Sequence, residues 1–235
     1  MRRDDPDKTP NSRRAFLRSG ALGVTATALA MTGVRAASAA PQLASPKPGD
    51  APLAVTPSCS GAEIPAEIEG PLFKPDSPER ANFVTPAIRG VYFDLRGVVY
   101  DTACTPIAGA LLEFWSCDQN GDYDTAGFSL RGHQFTNEKG EFHLQTIVPR
   151  DYYGRWGRRA PHIHTKAQAP GGPLLTTQLY FPDDTQAYGR DFAAINASDG
   201  LFNRSLVMTL GAPVDNHYDG RFDFVIKTTA DTPAT

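Results

Sequence analysis

Cysteine, histidine and tryptophan are scarce in this chain of 235 residues, which contains three, five and two of them. No two cysteines have the C-x-x-C spacing of a thiolate metal site, so in an oxidising compartment we expect one disulfide and one buried thiol. The pairing among Cys59, Cys104 and Cys117 stays open. We favour Cys59–Cys104, because that bond would hold the start of the domain against its body.

Long apolar runs are absent after residue 40, so nothing there is long enough to span a bilayer. The first 39 residues contain the twin-arginine pattern Ser12-Arg13-Arg14-Ala15-Phe16-Leu17-Arg18. A small and apolar run (19–34) and the cleavage signal Ala37-Ser38-Ala39 follow it. We therefore predict a signal peptide over 1–39, with twin-arginine (Tat) export to the periplasm or the extracellular space and no membrane partner once the signal is removed.

An excess of positive charge is also lacking. Residues 1–39 hold seven of the 23 Lys and Arg and three of the 26 Asp and Glu, so the remainder has a formal net charge of −7. This balance argues against a nucleic-acid partner.

Glycine and proline are plentiful, at 21 and 20 residues, and they separate short apolar runs. We predict a flexible lead-in over 40–58, one domain over 59–230 and a tail over 231–235. Only Asp184–Ala197 has a helical pattern. The predicted strands are Val91–Tyr100, Gly109–Cys117, His133–Thr136, Glu141–Ile147, His162–Ala169, Leu174–Phe181, Ser205–Leu210 and Phe222–Thr228. This pattern predicts an all-β fold, a β-sandwich of mostly antiparallel strands with long active-site loops and little helix.

Two of the five histidines, His162 and His164, are one residue apart on a predicted strand. Side chains alternate along a strand, so both imidazoles point to one face, with Arg159 close by in sequence. The spacing alone suits a metal site as well as a pair of surface or core histidines. The H-x-H pattern of cupins requires a glutamate a few residues later, which Thr165–Gln168 does not supply.

Several motifs accompany this pair along the chain. In order, they are Glu69-Gly70-Pro71-Leu72-Phe73, Pro106-Ile107-Ala108-Gly109-Ala110, Glu113-Phe114-Trp115-x-x-Asp118-x-x-Gly121-x-Tyr123, Thr136-x-x-x-Gly140-x-Phe142, Thr146-Ile147-x-Pro149-x-x-Tyr152, Arg159-x-x-His162-Ile163-His164 and Thr177-Gln178-Leu179-Tyr180-Phe181. This series resembles the intradiol ring-cleavage dioxygenases, the family of protocatechuate 3,4-dioxygenase and catechol 1,2-dioxygenase. The Gly-Pro segment resembles that of exported, twin-arginine members.

The resemblance implies a non-haem Fe(III) cofactor held by Tyr123, Tyr152, His162 and His164. It also implies that Arg159 stabilises charge on the reacting ring and that Gln178 orients Arg159 or the substrate. Phenolate oxygen suits Fe(III), and imidazole is a common iron ligand. Tyr152 would leave the metal when substrate binds, acting as a base.

The implied reaction cleaves a catecholic ring between its two hydroxylated carbons with O2 and gives a cis,cis-muconate-type product. The implied partners are a small catecholic substrate and O2. The particular catechol and the oligomeric state stay open, a homo-oligomer included.

Some assignments have close competitors. Tyr153 adjoins Tyr152, and Arg155 and Arg158 compete with Arg159 for the pocket role. Two other functions also fit parts of the pattern. One is a non-catalytic transthyretin-like or carbohydrate-binding β-sandwich, and the other is a zinc enzyme that uses the H-x-H pair. Neither needs two tyrosines in addition to two histidines.

Overall fold

The computed structural model describes residues 59–155 and 157–231. The predicted signal peptide, the lead-in and most of the predicted tail lie outside these ranges. The strands are β1 (Tyr92–Tyr100), β2 (Leu111–Trp115), β3 (Arg131–Phe135), β4 (Glu141–Ile147), β5 (Tyr152–Gly154), β6 (Gly157–Arg159), β7 (His162–Gln168), β8 (Leu174–Tyr180), β9 (Thr209–Leu210), β10 (His217–Arg221) and β11 (Phe224–Val225). One α-helix, α1 (Phe192–Ser198), and two 3-10 turns, Arg204–Leu206 and Thr229–Asp231, complete the described elements. None of the helices in the described ranges is long and apolar enough to cross a bilayer.

The strands form two larger sheets and a hairpin. One sheet has the order β3-β2-β7-β8 and is antiparallel throughout. In the other, β1 is the central strand: β4 pairs with it antiparallel, and β10 and β11 pair with it parallel. The short strands β5 and β6 form the hairpin. The predicted all-β sandwich is confirmed, with two parallel pairings that sequence did not indicate.

The core lies between the two larger sheets. Period-two alternation buries Phe93 and Leu95 on β1, and Leu112 and Phe114 on β2. The sheets meet through aromatic contacts such as that of Phe114 with Phe142 of β4, whose ring centroids are 5.9 Å apart. β7 is buried along almost its whole length, because it is a central strand and both its faces are covered.

Some predicted boundaries were wrong. The predicted helix Asp184–Ala197 is only Phe192–Ser198, because residues 184–190 form turns and Asp191 caps the helix by accepting from the backbone N–H of Ala194. The predicted strand Ser205–Leu210 begins within a 3-10 turn, Arg204–Leu206, and only Thr209–Leu210 is strand, while Phe222–Thr228 shortens to Phe224–Val225. The polar strand β10 was missed, since its pairing with β1 rather than apolar alternation defines it.

The cysteines behave as expected. Cys59 and Cys104 form a disulfide, 45 residues apart in sequence. Cys117 is a free, buried thiol. Burial is the main cause that raises the pKa of Cys117 to about 12, so this thiol is protonated and inert at neutral pH.

Candidate metal centre

Both histidines of the H-x-H pair are buried side by side on β7, at 1 % and 2 % exposure. The strand register determines their neighbours. Trp115 on β2 and Gln178 on β8 lie opposite His164, and Tyr180 lies opposite His162. The Trp115 ring stacks on the His164 imidazole with centroids 4.8 Å apart and planes 3° from parallel. The sheet itself therefore orients both imidazoles.

The hairpin β5–β6 brings Tyr152 to these histidines. Tyr152 pairs directly with Arg159 in the hairpin register, and its ring centroid is 5.8 Å from that of His162. The adjacent Tyr153 is 81 % exposed, because neighbouring residues on a strand point to opposite faces. The structure thus brings Tyr152 into the cluster and leaves its competitor Tyr153 in solvent.

Tyr123 reaches the same cluster from the β2–β3 loop. Its phenol oxygen is 3.5 Å from Nε2 of His162, and its ring packs edge-on against Tyr152 with centroids 5.6 Å apart. Gly121 makes this approach possible, since its φ is +93° and a Cβ there would lie 3.1 Å from Cβ of Tyr152. After Tyr123, the Asp124 carboxylate accepts three backbone N–H groups and holds the loop in a turn.

The four predicted ligands lie in one cluster, and the two histidines are spaced as two ligands of one metal ion would be. Nε2 of His162 and Nε2 of His164 are 3.1 Å apart. Two nitrogens bound at right angles to one transition metal, each about 2.1 Å from it, are about 3 Å apart. Nδ1 of His162 donates to the carbonyl of Ala160 at 2.6 Å, which leaves Nε2 with its lone pair directed into the cluster. Nδ1 of His164 is buried and has no hydrogen-bond partner among the described residues.

Burial sets the protonation of these groups. It lowers the pKa of His162 to about 3, assisted by the charge of Arg159, and lowers that of His164 well below its usual value. It also raises the pKa of Tyr123 well above 10, and raises that of Tyr152. Both imidazoles are therefore neutral and able to bind a metal, and a cation is needed to make the phenols ionise.

Arg159 lies beside the cluster at 2 % exposure. Its Nη2 donates to Oε1 of Gln178 at 2.6 Å, and its Nε donates to Asp199. Burial is the largest influence and acts to lower the pKa of Arg159, but Asp199 together with Tyr180 and Tyr152 outweighs it, so the pKa is raised. The two competing arginines lie elsewhere: Arg158 pairs with Asp151, and Arg155 is exposed in the hairpin turn.

The Gly-Pro segment closes one side of the cluster. A Cβ on Gly70 would lie 3.4 Å from Cε1 of His164, and φ at Gly70 is +75°. The carbonyl of Ile68 accepts from Nε2 of Gln178 at 2.8 Å. Phe73 packs edge-on against Trp115 with centroids 5.0 Å apart. The segment 68–73 thus covers the imidazoles and limits the access of water.

Three residues near the cluster were not assigned a site role from sequence. Trp115 was predicted only as core, and Tyr180 appeared only within a motif; the β2–β7–β8 register accounts for both. No sequence pattern indicated a site role for Asp199, because it lies 40 residues after Arg159 in an Asp-Gly step that is typical of a turn.

The remaining histidines have structural contacts. His143 and His217 flank the buried Asp94 carboxylate, and His133 contacts the hydroxyl of Ser77. Ligand atoms of Asp94, His217 and Asp219 lie within 4.8 Å of one another. Arg96 contacts both carboxylates, so their charge is already compensated. This group lies on the other sheet, and none of its members is a predicted iron ligand.

Comparison with known proteins agrees with these observations. The sequence model of a family described as "Dioxygenase" matches residues 68–228. A catechol 1,2-dioxygenase of Pseudomonas sp. (strain EST1001) is 31% identical over 176 residues, which are 65% of this chain and 56% of that protein. The chain spans about half the length of the curated relatives it matches.

Solved structures with the same fold include two dioxygenases. The first is the dioxygenase domain of a dioxygenase–carbohydrate-binding protein fusion from Streptomyces sp. SirexAA-E. It has a TM-score of 0.63 and 45% identity, covering 72% of this chain and 100% of that one. The second is 3-chlorocatechol 1,2-dioxygenase from Rhodococcus opacus 1CP, with a TM-score of 0.61 and 26% identity, covering 69% and 71%.

Proposed function

Because the chain belongs to the intradiol ring-cleavage dioxygenase family, we propose that it uses non-haem Fe(III) and O2 to cleave a catechol between its two hydroxylated carbons. One carbon–carbon bond breaks, and both atoms of O2 enter the product. The two hydroxylated carbons become the carboxyl groups of a cis,cis-muconate-type diacid. Catechol plus O2 balances this product, so no further oxidant or reductant is needed.

The donor set supports ferric iron as the cofactor. Tyr123, Tyr152, His162 and His164 would hold it through two phenolate oxygens and two neutral imidazole nitrogens. Phenolate favours a hard, highly charged ion, whereas a structural or catalytic zinc site is built from thiolate, imidazole or carboxylate. When bound, Fe(III) supplies a site for the catecholate and withdraws electron density from its ring.

Tyr152 is the group that we propose receives a substrate proton. Tyr152 and Tyr123 are both only partly buried, but the phenol oxygen of Tyr123 is 3.5 Å from Nε2 of His162, whereas Tyr152 lies on the β5–β6 hairpin. Burial raises the pKa of the Tyr152 phenol, so a Tyr152 oxygen that is not bound to a metal would hold a proton at neutral pH. The departing ligand and the base are then the same residue.

Arg159 is placed to stabilise negative charge that develops on the ring. The described hydrogen bonds of its guanidinium use Nε and Nη2, which leaves Nη1 for a substrate group. A fixed charge in a site that excludes water stabilises such a transition state more strongly than a solvated one. Trp115 and the segment 68–73 help to exclude water from this site.

The proposal rests above all on one cluster in which two tyrosines and two histidines lie together beside a buried arginine. The direct experiment is to measure oxygen uptake by the iron-loaded protein with catechol, protocatechuate, hydroxyquinol and a chlorocatechol. We expect uptake with at least one of them, and a coloured resting protein, since tyrosinate bound to Fe(III) absorbs visible light. A colourless protein that binds zinc and consumes no O2 would instead support the zinc enzyme.

We also propose export by the twin-arginine route, on the support of Arg13, Arg14 and the apolar run that follows them. Replacing both arginines with lysine in the full chain would retain the protein in the cytoplasm. Fractionation of cells that express each form tests this, and equal export of both forms would contradict it.

A further inference from the structure

One buried carboxylate connects two parts of the site that the proposed function uses separately. Asp199 lies at the C-cap of α1, and its side chain is 1 % exposed. Its two oxygens accept from Nε of Arg159 at 3.2 and 3.1 Å. They also accept from the backbone N–H of Ala160 at 2.8 Å and from that of Leu201 at 2.9 Å. A carboxylate with this many donors has one defined position.

The contact with Ala160 extends to a predicted metal ligand. The N–H of Ala160 is held by Asp199, and the carbonyl of the same residue accepts from Nδ1 of His162 at 2.6 Å. Pro161 follows and restricts the backbone of Ala160 to extended conformations. Ala160 is fully buried, so it has little freedom to compensate if one contact is lost. Asp199 therefore influences the orientation of the His162 ring, because both side chains are bonded to the backbone of Ala160.

Asp199 also orients the guanidinium of Arg159. Asp199 holds Nε, and Gln178 holds Nη2, which determines where Nη1 points. Tyr180 completes this arrangement, because its hydroxyl donates to the carbonyl of Leu201 at 2.8 Å and lies 3.4 Å from Nη2 of Arg159. The guanidinium is thus held from two elements, α1 and β8.

We propose that Asp199 is a positioning residue that sets the pocket arginine and the ligand histidine together, so that the end of α1 controls the alignment of substrate charge with the metal. This inference rests on the proposed function. It goes beyond it by assigning a role to a residue in no recognised motif of the chain. Because Asp199 acts through Arg159 and His162, its loss changes both the chemistry of the ring and the colour of the metal site.

The test compares Asp199→Asn and Asp199→Glu with the wild type. Asparagine keeps the shape but places an amide N–H₂ against donors, and glutamate keeps the charge but moves the carboxylate by one methylene. We expect iron content to be retained and kcat per iron to fall by about 10- to 100-fold, as a misplacement of about 1 Å produces. We expect KM to change much less, and the visible band to shift in both variants.

Asp94→Asn is the matched control. Asp94 is also a buried aspartate with cationic partners, but it lies on the other sheet. We expect it to lower the melting temperature while kcat per iron and the visible band stay at wild-type values. If the Asp199 variants have a lower melting temperature but unchanged kcat per iron and visible band, as expected for this control, the positioning role is wrong.

The outcomes separate the two proposals. A wild-type protein without colour and without oxygen uptake contradicts the proposed function whatever the variants do. An active wild type whose Asp199→Glu variant keeps both kcat and the visible band contradicts the positioning role alone. If Asp199→Asn does not fold, Asp199→Glu decides, since it retains the buried ion pair.

Discussion

Nε2 of His162 lies 3.1 Å from Nε2 of His164, with the phenol oxygen of Tyr123 3.5 Å from the former. Burial lowers the pKa of both histidines, so both imidazoles are neutral and their Nε2 atoms face each other. Stacking of Trp115 on His164 and the bond from His162 to Ala160 hold both rings. Such an arrangement is suited to a metal ion that binds both imidazoles.

Replacing His162 or His164 with alanine is expected to remove iron from the purified protein. Each variant loses one of four ligands and leaves a cavity at a buried position. Metal analysis of the protein as isolated provides the measurement. His133→Ala is the matched control, because His133 lies on β3 and its side chain contacts Ser77 and Phe135 rather than the candidate metal ligands. Stoichiometric iron in either site variant would contradict the four-ligand assignment.

Replacing Tyr152 with phenylalanine is expected to shift the visible colour and slow substrate binding by about 10²-fold or more, because a ligand and a base are lost together. Stopped-flow mixing with a catechol measures the rate. Tyr153→Phe is the control beside it, since Tyr153 is exposed and should leave colour and rate unchanged. The reverse pattern would make Tyr153 the ligand.

Removing the disulfide by Cys59→Ser with Cys104→Ser is expected to lower the free energy of unfolding by about 2–4 kcal/mol. The bond closes a loop between residues 45 apart in sequence, and its loss increases the entropy of the unfolded chain. Urea unfolding of both forms measures the difference. Cys117→Ser is the comparison, because it replaces a free thiol that lies outside this loop and forms no disulfide. Equal midpoints for the double variant and the wild type would show that the bond does not constrain the unfolded chain.

The Asp94 carboxylate is expected to make stability depend on pH in the acid range. Burial acts to raise its pKa, but the hydrogen bond and charge of His143, then the charges of His217 and Arg96, outweigh burial and lower it. A lowered pKa stabilises the fold above the unfolded value of about 3.9, and this contribution is lost as pH falls through the folded pKa. The stability gap between wild type and Asp94→Asn should therefore be large at pH 5 and shrink below pH 4. Chemical unfolding at both values measures it, and a constant gap would contradict the assignment.

Sequence reasoning predicted the parts of the site that local periodicity controls. The alternation of β7 placed His162 and His164 on one face, and the motif Thr146-Ile147-x-Pro149-x-x-Tyr152, through the family resemblance, implied Tyr152 as the ligand beside its neighbour Tyr153. The all-β sandwich followed from short apolar runs between turn residues. Each of these depends on residues close together in the chain.

Contacts between distant segments were not predictable in the same way. Strand β10 is polar, and its pairing with β1 and β9 rather than an apolar alternation makes it a strand. Asp199 contacts Arg159 because α1 packs beside β6, and no local sequence pattern predicts that contact. Trp115 stacks on His164 because of the β2–β7 register, which a one-residue slip would abolish.

The products of one reaction show whether this protein cleaves a catechol between its two hydroxylated carbons. The purified, iron-loaded protein is supplied with catechol and isotopically labelled O2, and oxygen uptake and the product are measured together. We expect one O2 to be consumed for each ring and a cis,cis-muconate-type diacid that carries both labelled atoms. A protein that contains iron at Tyr123, Tyr152, His162 and His164 but leaves every tested catechol intact, or opens the ring outside the two hydroxylated carbons, would contradict this expectation.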